Sequence, residues 1–237
     1  MSMLVLQEKV QINQARRKLA EKGVSCVDSF CKSLLRRFKL ISAVPIGDTL
    51  KSWDVLLSLD LLEEKVGKNE PILDIGCYAS ELIVALHKLG YFDLTGADLN
   101  PRLTKMPYHD LIHYEITDFL HTKFVDASFK AITAISVIEH GFNAPSLLKE
   151  VSRLLKPGGY FIASFDYYPE KIDTQGIEYF NMDWKIFSKD EVADFINQAA
   201  GCGLFPLGAM MYDAKDRPID CGGKQYTFAW LTLTKSK

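Results

Sequence analysis

Cysteine is sparse and scattered in this chain. The five cysteines, at 26, 31, 77, 202 and 221, include no C-x-x-C pair and no spacing suited to a metal. That excludes a disulfide scaffold and a zinc framework, and an odd set of this kind fits reduced thiols in a cytoplasmic protein. No apolar run is long enough to span a membrane, and the opening Met-Ser-Met-Leu-Val-Leu-Gln-Glu is too short for a secretory signal. Neither sign of charge prevails. With 28 Lys and Arg against 30 Asp and Glu, the net charge of −2 offers no basic field to nucleic acid. Repeats and low-complexity segments are missing. A small-molecule partner is expected, and the oligomeric state stays open.

At 237 residues with 48% hydrophobic side chains, the chain can bury one large core. Its organising stretch is Pro71-Ile-Leu-Asp-Ile-Gly-Cys-Tyr-Ala-Ser80, which leads into Glu81-Leu-Ile-Val-Ala-Leu-His-Lys-Leu89. The first part is a short apolar run ending in Asp74 and Gly76. The second has apolar residues at 82, 83, 86 and 89, the spacing of a helix face. Strand, glycine-bearing turn and helix together aim backbone N–H groups at a polar ligand. A pyrophosphate loop of the G-x-G-x-x-G type has glycine where this chain has Asp74, a carboxylate that repels phosphate and welcomes a cation.

Residues 1–67 read as an N-terminal helical segment or lid, and 68–237 as the main domain. Within the lid, Phe30 to Ile41 is basic and apolar on different faces, and Ser52 to Leu62 is a helix ending near Gly67. From residue 71 the rhythm predicts a strand in the run that ends in Asp74 and Gly76, then strands at 91–98, 111–116, 129–137 and 160–165, the last entered by the turn Lys156-Pro-Gly-Gly159. Helices are predicted at 81–89, 145–155 and 188–200, the third opened by the capping box Ser188-Lys-Asp-Glu191. Two runs without a helix between them, Leu204 to Met211 and Gln225 to Thr234, should pair antiparallel. The fold class is therefore α/β: a doubly wound, mostly parallel seven-stranded sheet with a C-terminal antiparallel hairpin.

In such a sheet the ligand lies beyond the C-terminal strand ends. Polar signals gather there: Asp74 with Gly76, then Asp98, Asp118 and Glu139-His140. Asp98 follows Asp74 by 24 positions, near the spacing at which a carboxylate accepts both hydroxyls of a ribose. This ordered set, with Ser128–Gly141 as a fourth strand and loop and Leu154-Leu-Lys-Pro-Gly-Gly-Tyr-Phe as a fifth-strand entry, resembles the class I S-adenosylmethionine (SAM) methyltransferases over about residues 70–165. The resemblance implies their Rossmann-like fold, SAM as cofactor, and cofactor contacts from Asp74, Gly76, Cys77, Tyr78, Asp98, Leu99, Asp118, Phe119 and Ser136. Asp118 would accept from the adenine amino group, with apolar Leu99 and Phe119 beside the ring. Tyr78 and Ala79-Ser80 depart from the family's glycines.

His140 and Glu139 are the candidate catalytic residues. The sulfonium of SAM is already an activated leaving group, so alignment is most of the work and a base helps when the acceptor is a hydroxyl. His140 titrates near neutrality and suits that role, or else it only shapes the loop. Glu139 would cap, orient His140 or help hold a metal, and no metal set is expected. The insertion 166–187, rich in Tyr, Trp and Asp, suits a sugar or an aromatic acceptor. The expected activity is methyl transfer to a small-molecule hydroxyl of a sugar or secondary metabolite. The alternative is an inactive nucleotide-binding or scaffold protein with the same fold, which Tyr78 favours. An NAD-dependent oxidoreductase is disfavoured by Asp74 and the hairpin.

Overall fold

The apolar runs after residue 71 are short and rich in β-branched residues, so they extend as strands, and the longer 3.6-periodic stretches coil against them. In the computed structural model, which describes residues 1–28, 38, 44–141 and 143–237, these form β2 (Ile72–Ile75), α3 (Glu81–Lys88), β3 (Leu94–Asp98), β4 (His113–Ile116), β5 (Phe129–Ile135), α4 (Ala144–Leu154) and β6 (Leu155–Tyr167). Before them come β1 (Met3–Val5), α1 (Lys9–Glu21) and α2 (Ser52–Lys65). After them come the small ribbon β7 (Glu178–Tyr179) and β8 (Met182–Asp183), then α5 (Lys189–Gly201), β9 (Leu204–Pro206), β10 (Ile219–Cys221) and β11 (Lys224–Lys235).

The main sheet runs β1-β11-β6-β5-β2-β3-β4, with β9 and β10 also pairing β11. Pairs among β2 to β6 are parallel, and every pair made by β11 is antiparallel. The chain leaves β2 toward β3 and β4, then returns to place β5 and β6 on the other side of β2. Strand order therefore reverses between β2 and β5, and a crevice opens beyond their carboxyl ends. One face is covered by α1, α2 and α3, burying Leu19, Leu59, Leu62, Leu82 and Leu86. The other is covered by α4 and α5, burying Leu147, Val151, Val192 and Phe195. Truncating such a leucine to alanine costs about 2–5 kcal/mol.

Three expectations are corrected. The sheet has nine strands, not seven. The start of the chain is not helical: Met3–Val5 lies antiparallel to Ala229–Leu231, so the 1–67 segment is threaded into the sheet of 68–237. Of the expected strand 204–211 only Leu204–Pro206 pairs, and the tight hairpin is instead Ile219–Cys221 with Lys224–Tyr226, turned at Gly222 and Gly223, both at positive φ. The expected turn at 156–159 persists as a bulge within β6, where pairing with β5 jumps from Leu155 to Tyr160. The capping box closes as expected: the Ser188 N–H donates to Glu191 at 2.9 Å and the Glu191 N–H to Ser188 Oγ at 3.3 Å. The basic stretch 30–41 lies outside the described residues except for exposed Phe38. Among the described residues no helix is long and apolar enough to cross a membrane.

Candidate active site

The glycine turn is shaped by contact with the strand beyond it. Gly76 has φ +67°, and a Cβ there would sit 2.4 Å from Val137 Cγ2, so this position requires glycine. The turn thereby lies directly against the segment that follows β5. Cys77 is buried and its N–H donates to the Ala97 carbonyl at 3.2 Å. The Tyr78 N–H donates to Asp98 Oδ2 at 2.8 Å, and the Asn100 N–H to Asp98 Oδ1 at 2.8 Å. Each Asp98 oxygen thus accepts one backbone bond and keeps a second lone pair, an arrangement that fits the two hydroxyl donors of a ribose. The Tyr78 side chain departs from glycine, yet the loop uses its backbone N–H.

Thr117 N–H donates to the Asp98 carbonyl at 3.1 Å, which brings Asp118 to the rim beside Asp98. Asp118 is exposed, and one of its oxygens accepts the Leu120 N–H at 2.9 Å. Leu99, 51% exposed, stands on the same rim, whereas Phe119 is 4% exposed and packs into the core beside α4 and β5. Of the two apolar residues expected beside adenine, Leu99 is open to solvent and Phe119 is not.

Asp74 is set deeper than expected. It lies within β2, 1% exposed, with Oδ1 accepting from Thr133 Oγ1 at 2.6 Å and with Ser80 and Cys77 beside the carboxylate. Burial raises its pKa to about 6, opposed by the Thr133 bond. The helix that follows is tied down from the N-terminal segment. Arg16 donates bidentately to the Glu81 carboxylate at 2.7 Å twice, and the Cys26 N–H adds a third bond at 2.7 Å.

Beyond β5 the chain turns at Ser136, φ +58°, whose hydroxyl donates to Glu139 Oε1 at 2.5 Å. Ser136 is therefore engaged with Glu139. Glu139 is 1% exposed, its Oε2 has no partner, and burial reinforced by Asp166 pushes its pKa up to about 8. Its carboxylate bonds Ser136 rather than His140. The His140 imidazole is half-buried, its Nδ1 is unpartnered, and burial lowers its pKa. The insertion 166–187 roofs this loop: Phe180 and Tyr179 meet the His140 ring edge-on at 5.4 and 6.5 Å, and the Lys185 N–H donates to the Glu139 carbonyl at 2.8 Å.

Three polar residues that the sequence reading left out stand beside this loop. Lys51, at the end of the turn before α2, places Nζ 3.5 Å from Asp166 Oδ1, 4.0 Å from Asp54 Oδ2 and 3.4 Å above the Phe228 ring centroid. Trp184 Nε1 donates to Asp166 Oδ2 at 2.7 Å. Asp54 is fully buried and burial raises its pKa to about 7. For Lys51 burial alone would lower the pKa, but Asp166, Asp54 and Glu139 outweigh it and raise it. Asp166 was legible as a fifth strand-end carboxylate. Lys51 and Asp54 resembled polar positions on a helix face.

Residues 73–163 match the family described as "Methyltransferase domain". Sterol 24-C-methyltransferase erg6 of Aspergillus fumigatus is 30% identical over 98 residues, which are 38% of this chain and 26% of that protein. A ubiquinone biosynthesis O-methyltransferase of Xanthomonas oryzae pv. oryzae is 31% identical over 100 residues, 39% of this chain and 41% of that protein. The matched stretch thus spans less than half the length of either relative. One relative is named for a carbon acceptor and the other for oxygen, so the shared stretch does not set the acceptor. In fold, the chain is similar to geranyl diphosphate C-methyltransferase from Streptomyces coelicolor A3(2), solved with S-adenosyl-L-homocysteine, at TM-score 0.58 and 16% identity over 76% of this chain and 78% of that one. These matches make residues 73–163 a methyltransferase domain, carried on a sheet whose strand order reverses between β2 and β5, in the fold of the S-adenosylmethionine-dependent methyltransferases.

Proposed function

We propose that the protein transfers the methyl group of S-adenosylmethionine to a hydroxyl of a small molecule, of the sugar or secondary-metabolite kind, with His140 as general base. The observation that carries this reading is a half-buried imidazole with an unpartnered Nδ1, on the loop whose Val137 packs against the Gly76 turn, and roofed by Tyr179 and Phe180.

When bound, the cofactor supplies a methyl group already activated on sulfonium. The chain's own residues then have three tasks. Asp98 and Asp118 orient the nucleoside end, and the 166–187 insertion keeps water from the acceptor. His140 takes the hydroxyl proton as the oxygen attacks. Its depressed pKa keeps the ring neutral near pH 7, the state in which it accepts a proton.

Incubation with methyl-labelled S-adenosylmethionine and a panel of hydroxyl-bearing acceptors tests the reading. Labelled ether product is expected, with a rate that rises with pH through an imidazole titration below its ordinary value. His140→Ala should lower the rate by about 10²–10⁴-fold, with cofactor affinity nearly intact. A pH-independent rate, or a variant slowed only a few-fold, would reduce His140 to a positioning residue. Cofactor binding without product from any acceptor would leave a nucleotide-binding scaffold.

A further inference from the structure

Nine buried side-chain polar atoms among the described residues make no hydrogen bond, and six of them gather in one place. They are Lys51 Nζ, both Asp54 carboxyl oxygens, Glu139 Oε2, His140 Nδ1 and Ser164 Oγ. Burial raises the Asp54 pKa, and Ser164 lies near enough to oppose that rise. Lys51 Nζ stands 4.0 Å from Asp54 Oδ2 and 3.5 Å from Asp166 Oδ1, so Lys51, Asp54 and Ser164 already face one another at the edge of hydrogen-bond reach. The other three, Asp74 Oδ2, Ser128 Oγ and Thr232 Oγ1, belong to other residues of the sheet and its loops. Unsatisfied buried polar groups are few in folded proteins because each forfeits its hydration. Six together, brought from the start of α2, the loop after β5 and the end of β6, call for a ligand rather than for a structural role.

We propose that this cluster is the anchoring subsite for the methyl acceptor, and that the acceptor is a neutral polyhydroxylated molecule of the sugar or cyclitol class. The inference rests on the methyltransferase reading above and extends it to Lys51, Asp54, Glu139 and Ser164, which that reading does not use. A hydroxyl is donor and acceptor at once, so adjacent hydroxyls can accept from Lys51 and donate to Asp54 and Glu139. An anionic acceptor would find the Lys51 ammonium already paired with Asp166 at 3.5 Å. A flat phenol has too few hydroxyls to reach Lys51, Asp54 and Glu139 together.

Charge points the same way. The Lys51 ammonium is balanced by Asp166 at 3.5 Å. Burial pushes Asp54 to about 7 and Glu139 to about 8, so near neutrality much of their charge is suppressed and the cluster is close to electroneutral. Among the described residues no three of the carboxylate, histidine or cysteine groups are arranged to hold a metal ion. Trp184, bonded to Asp166, and Tyr226, 5.6 Å from Trp184, supply ring surface for the C–H faces of a sugar. The six atoms are shut off from solvent, so entry requires the roof of residues 166–187 to move.

Saturation-transfer NMR on the full chain with S-adenosylhomocysteine present tests the proposal. The probes are glucose, galactose, mannose, N-acetylglucosamine and myo-inositol, against glucuronate, glucosamine and catechol. At least one neutral polyol should give signal and outcompete the other three. Asp54→Asn and Lys51→Met should weaken that polyol about tenfold or more, the scale of a charged hydrogen bond, with S-adenosylhomocysteine affinity unchanged. Asp54→Asn, nearly isosteric, should fold with a melting temperature at or above wild type. No signal from any neutral polyol, or preference for the anion, amine or catechol, would overturn the proposal. So would an Asp54→Asn variant that melts lower and keeps the polyol signal, which would make the cluster structural. Failure of S-adenosylhomocysteine itself to bind would instead sink the methyltransferase reading.

Discussion

Replacing Asp98 by alanine is the sharpest perturbation of the cofactor crevice. Its carboxylate accepts the Tyr78 and Asn100 N–H groups at 2.8 Å each, holding the glycine turn against the end of β3. The two remaining lone pairs are the ones a ribose diol would use. A hydrogen bond to a charged group contributes about 1.5–3 kcal/mol. Losing two at the lower figure removes about 3 kcal/mol, or roughly a hundredfold in affinity at 1.4 kcal/mol per decade. Slackening of the Tyr78 turn adds to this. Asp98→Asn keeps the shape and one acceptor, so its loss should be smaller. Titration calorimetry with S-adenosylhomocysteine measures both, with circular dichroism to establish folding. A folded Asp98→Ala variant with wild-type affinity would show that the ribose is held elsewhere.

Two further outcomes concern stability. Arg16→Met strands the Glu81 carboxylate, 2% exposed, with only the Cys26 N–H among the described residues, and should cost about 3 kcal/mol in denaturant unfolding; Glu81→Gln in that background should recover much of it, and a loss below about 1 kcal/mol would refute the anchoring role. Burial raises the pKa values of Asp74, Asp54 and Glu139 to about 6, 7 and 8. Their stabilising effect is therefore complete below the ordinary carboxylate pKa of about 4 and is lost as pH rises to about 8, since the unfolded chain releases these protons first. His140, depressed by burial, works in the opposite sense. The melting temperature should fall between pH 5 and 8, and Glu139→Gln should flatten that fall; an unchanged slope would contradict it.

The sheet was legible because its signals are local. The run Ile72–Ile75, the Gly76 turn and the period of Glu81–Lys88 each specify one element, and α/β alternation orders them. Met3–Val5 was missed because three residues carry no measurable period, and their pairing with Ala229–Leu231 is more than two hundred residues away in sequence. The run 204–211 was apolar enough to suggest a strand, but only Leu204–Pro206 finds a partner on β11. Within the site, Asp98 and His140 were readable from their places at strand ends. Lys51 and Asp54 were not, since a lysine and an aspartate three apart on a helix usually face water. The available hint was that everything around Asp54 from Ser52 to Leu56 is buried, which required the fold to see.

The most direct measurement for the central claim is calorimetric titration of the purified protein with S-adenosylmethionine, S-adenosylhomocysteine and NAD in parallel. The account predicts that the first two bind at the β2–β5 crevice and that NAD binds far more weakly, because Asp74 stands where a pyrophosphate loop carries glycine. NAD binding as tight as that of S-adenosylhomocysteine would contradict it.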